Sequence, residues 1–217
     1  TVPPAEQITE TTRENGYPLC LGLDQHKKLI PDLFKKKSSQ LHLTDIEDFL
    51  FEIINIAKGK VAALKPQVAF FEEWGPEGLS LLTKISNFGK DLDIPIIMDA
   101  KRGDIGSTSE AYANAWLGDN SHFYADALTV NPWMGLETID PFIKIAKEKG
   151  KGVFILVKTS NQGSKDIQNL EVNGDSVFLK ISKLIKENLP LNLGRSGYSN
   201  IGIVVGANKP KEAELIR

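Results

Sequence analysis

The chain has 217 residues, of which 41% are apolar and 25% charged, and its formal net charge is −2. That length suits one domain with a sizeable core, and so even a charge balance gives no expectation of nucleic acid or acidic membrane as a partner. A single cysteine, Cys20, excludes an intrachain disulfide framework and suits a reducing, cytoplasmic setting. Within Leu19-Cys20-Leu21 it is expected to be a buried core thiol. No run approaches the ~20 apolar residues that span a bilayer, and Thr1 to Gly16 are polar, without a signal-peptide pattern. Lys35, Lys36 and Lys37 read as solvated loop charges.

In chain order, short apolar runs alternate with amphipathic stretches. Residues 19–23 form the first expected strand. Thr44 and Glu47 make a capping box for a helix that carries Ile46, Phe49, Leu50, Ile53 and Ala57 on one face. A second strand over 61–64 precedes a helix with Leu79, Leu82 and Ile85. A third strand over 94–98 is followed by Ser107 and Glu110, a second capping box. A fourth strand spans 127–130, and its helix carries Ile139, Phe142, Ile143 and Ala146. The fifth strand, 153–157, leads into the polar segment 161–174, which lacks a β-type run, and then a helix with Val177, Phe178, Ile181, Leu184 and Ile185. A sixth strand over 201–205 and a helix over 210–216 complete the pattern.

Near-continuous apolar strands alternating with helices imply a parallel sheet covered by helices, either doubly wound or closed as a (β/α)8 barrel. The strand ends favour the barrel. Asp24, Lys65, Asp99 with Lys101, Asn131, and Thr159 with Ser160 each follow an apolar run, and only a barrel brings five strand ends to one mouth. Residues 1–217 are therefore read as one barrel domain showing six strand-helix units, and the native protein is expected to continue for two more.

The most informative stretch is Asp99-Ala100-Lys101-Arg102-Gly103-Asp104-Ile105. Asp99 and Lys101 are two apart, so on an extended strand they face the same way. Alone, such a pair would be an ordinary salt-bridged strand end; with Asp104 and the charged ends of other strands it is more specific. This stretch resembles the Asp-x-Lys-x-x-Asp-Ile signature of the orotidine 5′-phosphate decarboxylase family. Leu21-Gly22-Leu23-Asp24, Leu64-Lys65-Pro66-Gln67, Val130-Asn131-Pro132-Trp133-Met134-Gly135, Val157-Lys158-Thr159-Ser160-Asn161 and Val204-Val205-Gly206-Ala207-Asn208 resemble its other strand ends, in order. The last two segments are similar to the versions in some bacteria and in apicomplexan parasites.

The resemblance implies a cofactor-free enzyme that converts orotidine 5′-monophosphate to UMP in pyrimidine biosynthesis. It makes Lys101 the proton donor beside C6 of the pyrimidine and places Asp99 next to the departing carboxylate. Asp24 and Lys65 would contact the ribose hydroxyls and Ser160 the pyrimidine edge. Asp104, Ile105 and Thr108 would reach across a homodimer into the neighbouring site. The family's phosphate-holding segments follow its seventh and eighth strands, which have no counterpart in this sequence. Arg102 has no assigned role. Metal ligation is not expected, since His26, His42 and His122 are scattered without ligand spacing. The alternative reading is a Mg²⁺-dependent sugar-phosphate decarboxylase or synthase of the same barrel superfamily; Leu64-Lys65-Pro66-Gln67 and Lys158-Thr159-Ser160-Asn161 argue against it.

Overall fold

The computed structural model describes residues 3–16, 18–35, 41–189 and 193–217; Lys36 and Lys37 of the basic run lie outside them. The chain opens with a helix, α1 (Pro4–Asn15), and then alternates strand and helix: β1 (Cys20–Leu23), α2 (Leu43–Ala57), β2 (Ala63–Pro66), α3 (Ala69–Glu72) with α4 (Gly75–Asp91), β3 (Ile97–Arg102), α5 (Gly106–Leu117), β4 (Ala127–Val130), α6 (Asp140–Lys149) and β5 (Gly152–Lys158). After β5 come a short helix, α7 (Lys165–Gln168), and a two-residue antiparallel pair, β6 (Glu171–Val172) with β7 (Asp175–Ser176). The helix α8 (Val177–Asn188), the strand β8 (Ile201–Val205) and the helix α9 (Pro210–Ile216) follow.

Among the described residues six strands run parallel. β1 pairs with β2, and β3, β4, β5 and β8 pair in that order. The bridges Leu64↔Ile96 and Gln67↔Asp99 join β2 to β3, so the wall is continuous from β1 to β8. Strand alternation gives this wall two faces. Leu64, Met98, Leu128, Val130 and Ile155 pack outward with Ile46, Leu50, Leu82, Ile85, Phe142 and Ile143 of the helices. Ala63, Ile97 and Ala127 turn inward and meet Ile8 of α1 and Phe154 of β5. The interior near the N-terminal strand ends is thus lined by apolar side chains of the strands and by one helix.

Several boundaries differ from those expected. β3 begins at Ile97 rather than residue 94, because Pro95 has no N–H to give to a ladder. It then runs through Asp99, Lys101 and Arg102, charged residues that an apolar-run criterion excludes. β2 likewise extends through Lys65. The helix α2 is capped two residues before Thr44, at His42: the Asp45 carboxylate accepts a hydrogen bond from the His42 N–H at 2.9 Å. Ser107 does not cap α5, which starts at Gly106 after Ile105; Asp104 instead accepts the Ile105 N–H at 2.8 Å. Cys20 is exposed, not buried. It lies on β1, which pairs with only one strand among the described residues. The segment 161–174 adds no strand to the parallel wall.

Helix faces follow the 3.6-residue period closely. Ile139, Phe142, Ile143 and Ala146 are all buried, whereas Leu184 on α8 is exposed. Phe142 is fully buried, and truncation there leaves a cavity as well as losing transfer energy. Phe142→Ala should therefore cost about 3–5 kcal/mol of stability, read as a lowered urea midpoint; a loss under about 1 kcal/mol would place Phe142 outside the core.

Candidate active site

The C-terminal ends of β1 to β5 carry the polar groups, and the carboxylate of Asp99 is the centre around which they are arranged. Asp99 sits on the inward face of β3 with its side chain only 9% exposed. Its Oδ1 accepts hydrogen bonds from Lys101 Nζ at 2.6 Å and Thr129 Oγ1 at 2.9 Å. Its Oδ2 accepts from Lys65 Nζ at 3.0 Å and Gln67 Nε2 at 2.9 Å. A carboxylate offers about four lone-pair sites, so all of them are engaged.

Burial by itself would raise the Asp99 pKa. The hydrogen bonds and positive charges of Lys101 and Lys65 outweigh it and hold the carboxyl below its ordinary 3.8. The group is therefore an anion at any pH near neutrality. Lys65 and Lys101 alternate with Asp99 and, at the rim, Asp24, so the formal charges of these four groups balance.

Lys101 has a positive φ of 50°, which is rare outside glycine. Pairing between β3 and β4 shifts register between Met98 and Arg102 at this point. The irregularity leaves the Lys101 N–H free of the ladder, and it donates to Thr129 Oγ1 at 2.9 Å. One hydroxyl thus fixes both the backbone of Lys101 and the carboxylate it pairs with. After Arg102, Gly103 packs directly on β4: a Cβ there would lie 2.8 Å from the carbonyl oxygen of Asn131.

Of the residues expected from sequence, Lys65, Asp99 and Lys101 are brought into direct contact. Asp24 follows Leu23, which pairs with Pro66, and stands exposed at the rim beside them. Ser160 is exposed just beyond β5, its carbonyl accepting a hydrogen bond from Asn208 Nδ2 at 2.9 Å. Asp104 does not flank Lys101 within the chain; its carboxylate turns to its own loop, and Ile105 and Thr108 project outward, exposed. Asn131 is used locally, accepting the Trp133 N–H at 3.0 Å. Gln67 and Thr129 were not expected. Gln67 was legible as the end of Leu64-Lys65-Pro66-Gln67, and Thr129 as the one polar residue of its strand.

Lys158 belongs to the Val157-Lys158-Thr159-Ser160-Asn161 segment. Its side chain is buried, bonded to Asn169 Oδ1 and lying over the Phe178 ring at 5.3 Å, away from the mouth. Among the described residues no group of three or more His, Cys, Asp or Glu is placed to hold a metal ion. A hollow of about 660 Å³, lined by Ile8, Phe154, Tyr198 and Ile201, lies at the opposite ends of the strands from the charged cluster.

The depressed Asp99 pKa has a defined consequence for stability. Since the folded value lies below the unfolded one, the ion pairs contribute fully above about pH 4, and their contribution is lost as pH falls through the folded value. In urea unfolding, the parent should exceed Asp99→Asn in stability at pH 6, and the gap should close on acidification below about pH 4. A gap unchanged down to pH 2.5 would mean that Asp99 is not held as a paired anion.

Comparison with known proteins agrees with the geometry. Residues 17–217 match the model of the orotidine 5′-phosphate decarboxylase / HUMPS family. The chain is 40% identical to an orotidine 5′-phosphate decarboxylase of Clostridium tetani and 35% identical to one of Rhodopirellula baltica, in each case over 98% of this chain and 73% of the relative. The solved structure of Leishmania donovani OMP decarboxylase superposes with a TM-score of 0.77 at 29% identity, covering all of this chain and 75% of that one. The strand order, the charged mouth and these likenesses agree: the chain belongs to the orotidine 5′-phosphate decarboxylase / HUMPS family and has its (β/α)8-barrel fold.

Proposed function

We propose that this chain decarboxylates orotidine 5′-monophosphate to UMP, with Lys101 stabilising and then protonating the carbanion left at C6. The observation that carries the reading is the Lys101 ammonium bonded to an Asp99 carboxylate whose every acceptor site is filled. The names of the relatives, at 35–40% identity over nearly the whole chain, support the substrate and disfavour the Mg²⁺-dependent alternative.

In the reaction the C6–carboxylate bond breaks heterolytically. CO₂ leaves as a neutral molecule, the electron pair stays on C6, and C6 takes a proton. Nζ has three protons, and Asp99 Oδ1 engages one, leaving two to face the substrate. Asp99 also repels the substrate carboxylate and not the CO₂ that replaces it. Two unit charges at ~4 Å and an effective dielectric of ~20 interact by roughly 4 kcal/mol. Enzymes lower barriers by about 8–23 kcal/mol, so repulsion is a minor share and the fixed positive charge of Lys101 carries more. Lys65 and Asp24 are assigned to the ribose hydroxyls and Ser160 to the pyrimidine edge.

Asp104, Ile105 and Thr108 are assigned to the site of a partner in a homodimer. What supports this is their outward projection: Ile105 is 61% exposed, and the Asp104 carboxylate accepts only the neighbouring Ile105 N–H among the described residues. No helix among the described residues is long and apolar enough to cross a membrane, and a cytoplasmic location is part of the reading.

In the full-length protein, Lys101→Ala should lower kcat by at least ~10³-fold, since charge stabilisation and proton delivery are lost together. Loss of substrate absorbance without added metal is the assay, and turnover within tenfold of the parent would refute the role. For the shared site, Lys101→Ala and Asp104→Ala proteins should each be nearly inactive. Mixing them should restore activity, because one site of a mixed dimer has both groups. Absence of recovery after proven subunit exchange would place Asp104 outside the partner's site.

A further inference from the structure

Arg102 follows Lys101 on β3 but points the other way. Its guanidinium lies outside the barrel wall, under α5, with Cζ 5.8 Å from the Tyr112 ring centroid and 5.3 Å from that of Trp116. Nη2 is paired with Glu72 at the end of α3, and Nη1 donates to the carbonyl oxygen of Ala100 at 3.2 Å. Nε is buried and has no hydrogen-bond partner among the described residues. A surface arginine would be free of such constraints. This one is held by two aromatic faces, a carboxylate and a backbone carbonyl.

The bond to Ala100 matters most. It runs from the residue after Lys101 to the residue before it, so the Arg102 side chain closes a ring around the Lys101 backbone. Lys101 is the residue in the left-handed region (φ 50°), a conformation that a non-glycine residue keeps only where its surroundings enforce it. On the inner side the enforcement comes from Thr129, which accepts the Lys101 N–H. On the outer side Arg102 Nη1 reaches back to the Ala100 carbonyl, and the Arg102 carbonyl accepts the Asn131 N–H at 2.9 Å. Lysine could not replace it: an ammonium on a flexible stem lacks the planar fork that meets a carbonyl and a carboxylate while stacked on rings.

We infer that Arg102 is a positioning residue for the decarboxylation: by tying Ala100 to Glu72 it holds Lys101 in its left-handed turn and so fixes where Nζ meets the substrate. This rests on the assignment of Lys101 as proton donor. Misplacing a reacting group by about 1 Å can cost on the order of 10²-fold in rate.

The test uses the full-length enzyme. Arg102→Met keeps a stem against Tyr112 and Trp116 while removing the fork. Calorimetric titration with UMP counts competent sites, kcat is expressed per competent site, and a crystal structure gives the Lys101 backbone. The expectation is a kcat lower by ten- to a hundredfold, KM within about threefold, undiminished UMP sites, and Lys101 out of the left-handed region. Arg102→Lys, the milder change, should lose about tenfold and stands in if Arg102→Met does not fold.

Parental kcat with Lys101 unmoved would overturn the proposal, as would a lower kcat with Lys101 unmoved. Activity lost only in proportion to UMP sites would also overturn it, since Arg102 would then merely support the fold. A displaced Lys101 with parental kcat would uphold the positioning role and refute the proton-donor assignment instead.

Discussion

Everything at the mouth of this barrel depends on keeping one carboxylate ionised in a nearly buried place. Asp99 is 9% exposed, and an isolated anion there would protonate rather than bear the desolvation cost. Four donors prevent that. Two are cations from different strands, one is a hydroxyl from a third, and one is an amide that follows β2. Each donor requires its strand to end at the right height, so the network specifies the register of β2, β3 and β4 as firmly as the apolar core does. A buried polar network of this kind is stable only when complete.

The strands show how such a network is built from local rules. Alternation places Ala63, Ile97 and Ala127 in one inward layer. Two residues later the same faces present Lys65, Asp99 and Thr129. Hydrophobic packing of the lower layer therefore aims the upper one without further instruction. Only Lys101 needs something more, since the register irregularity and the left-handed turn come between it and Asp99.

Much of this was legible in the sequence because it is periodic or clustered. The six parallel strands follow from apolar runs, and the convergence of Asp24, Lys65, Asp99 and Lys101 follows from their shared position after those runs. The errors have physical causes. The apolar runs stop short of Lys65 in β2 and of Asp99 to Arg102 in β3, because charged residues end an apolar run while the backbone pairing continues. The helix α1 was passed over since its apolar face is short, although Pro4 at its start and the left-handed Gly16 at its end are ordinary helix punctuation. Cys20 was misplaced because residue type says nothing about which strand, if any, lies alongside. Thr129 stands out only as the one polar residue of its strand; what it bonds is not legible until its neighbours across the sheet are known. Arg102 was a bare charge in the sequence; its meaning lies in two aromatic rings ten and fourteen positions away.

The saturation of Asp99 also bears on how the enzyme resets between turnovers. A lysine that has given its proton to carbon must recover one before the next cycle. Asp99 cannot relay it: the carboxylate holds no proton near neutrality, and its lone pairs leave no place for a water to dock and pass one along. Lys101, by contrast, is 43% exposed at the open mouth. Under the role proposed for Lys101, its proton would be restored from solvent at that mouth and not through Asp99.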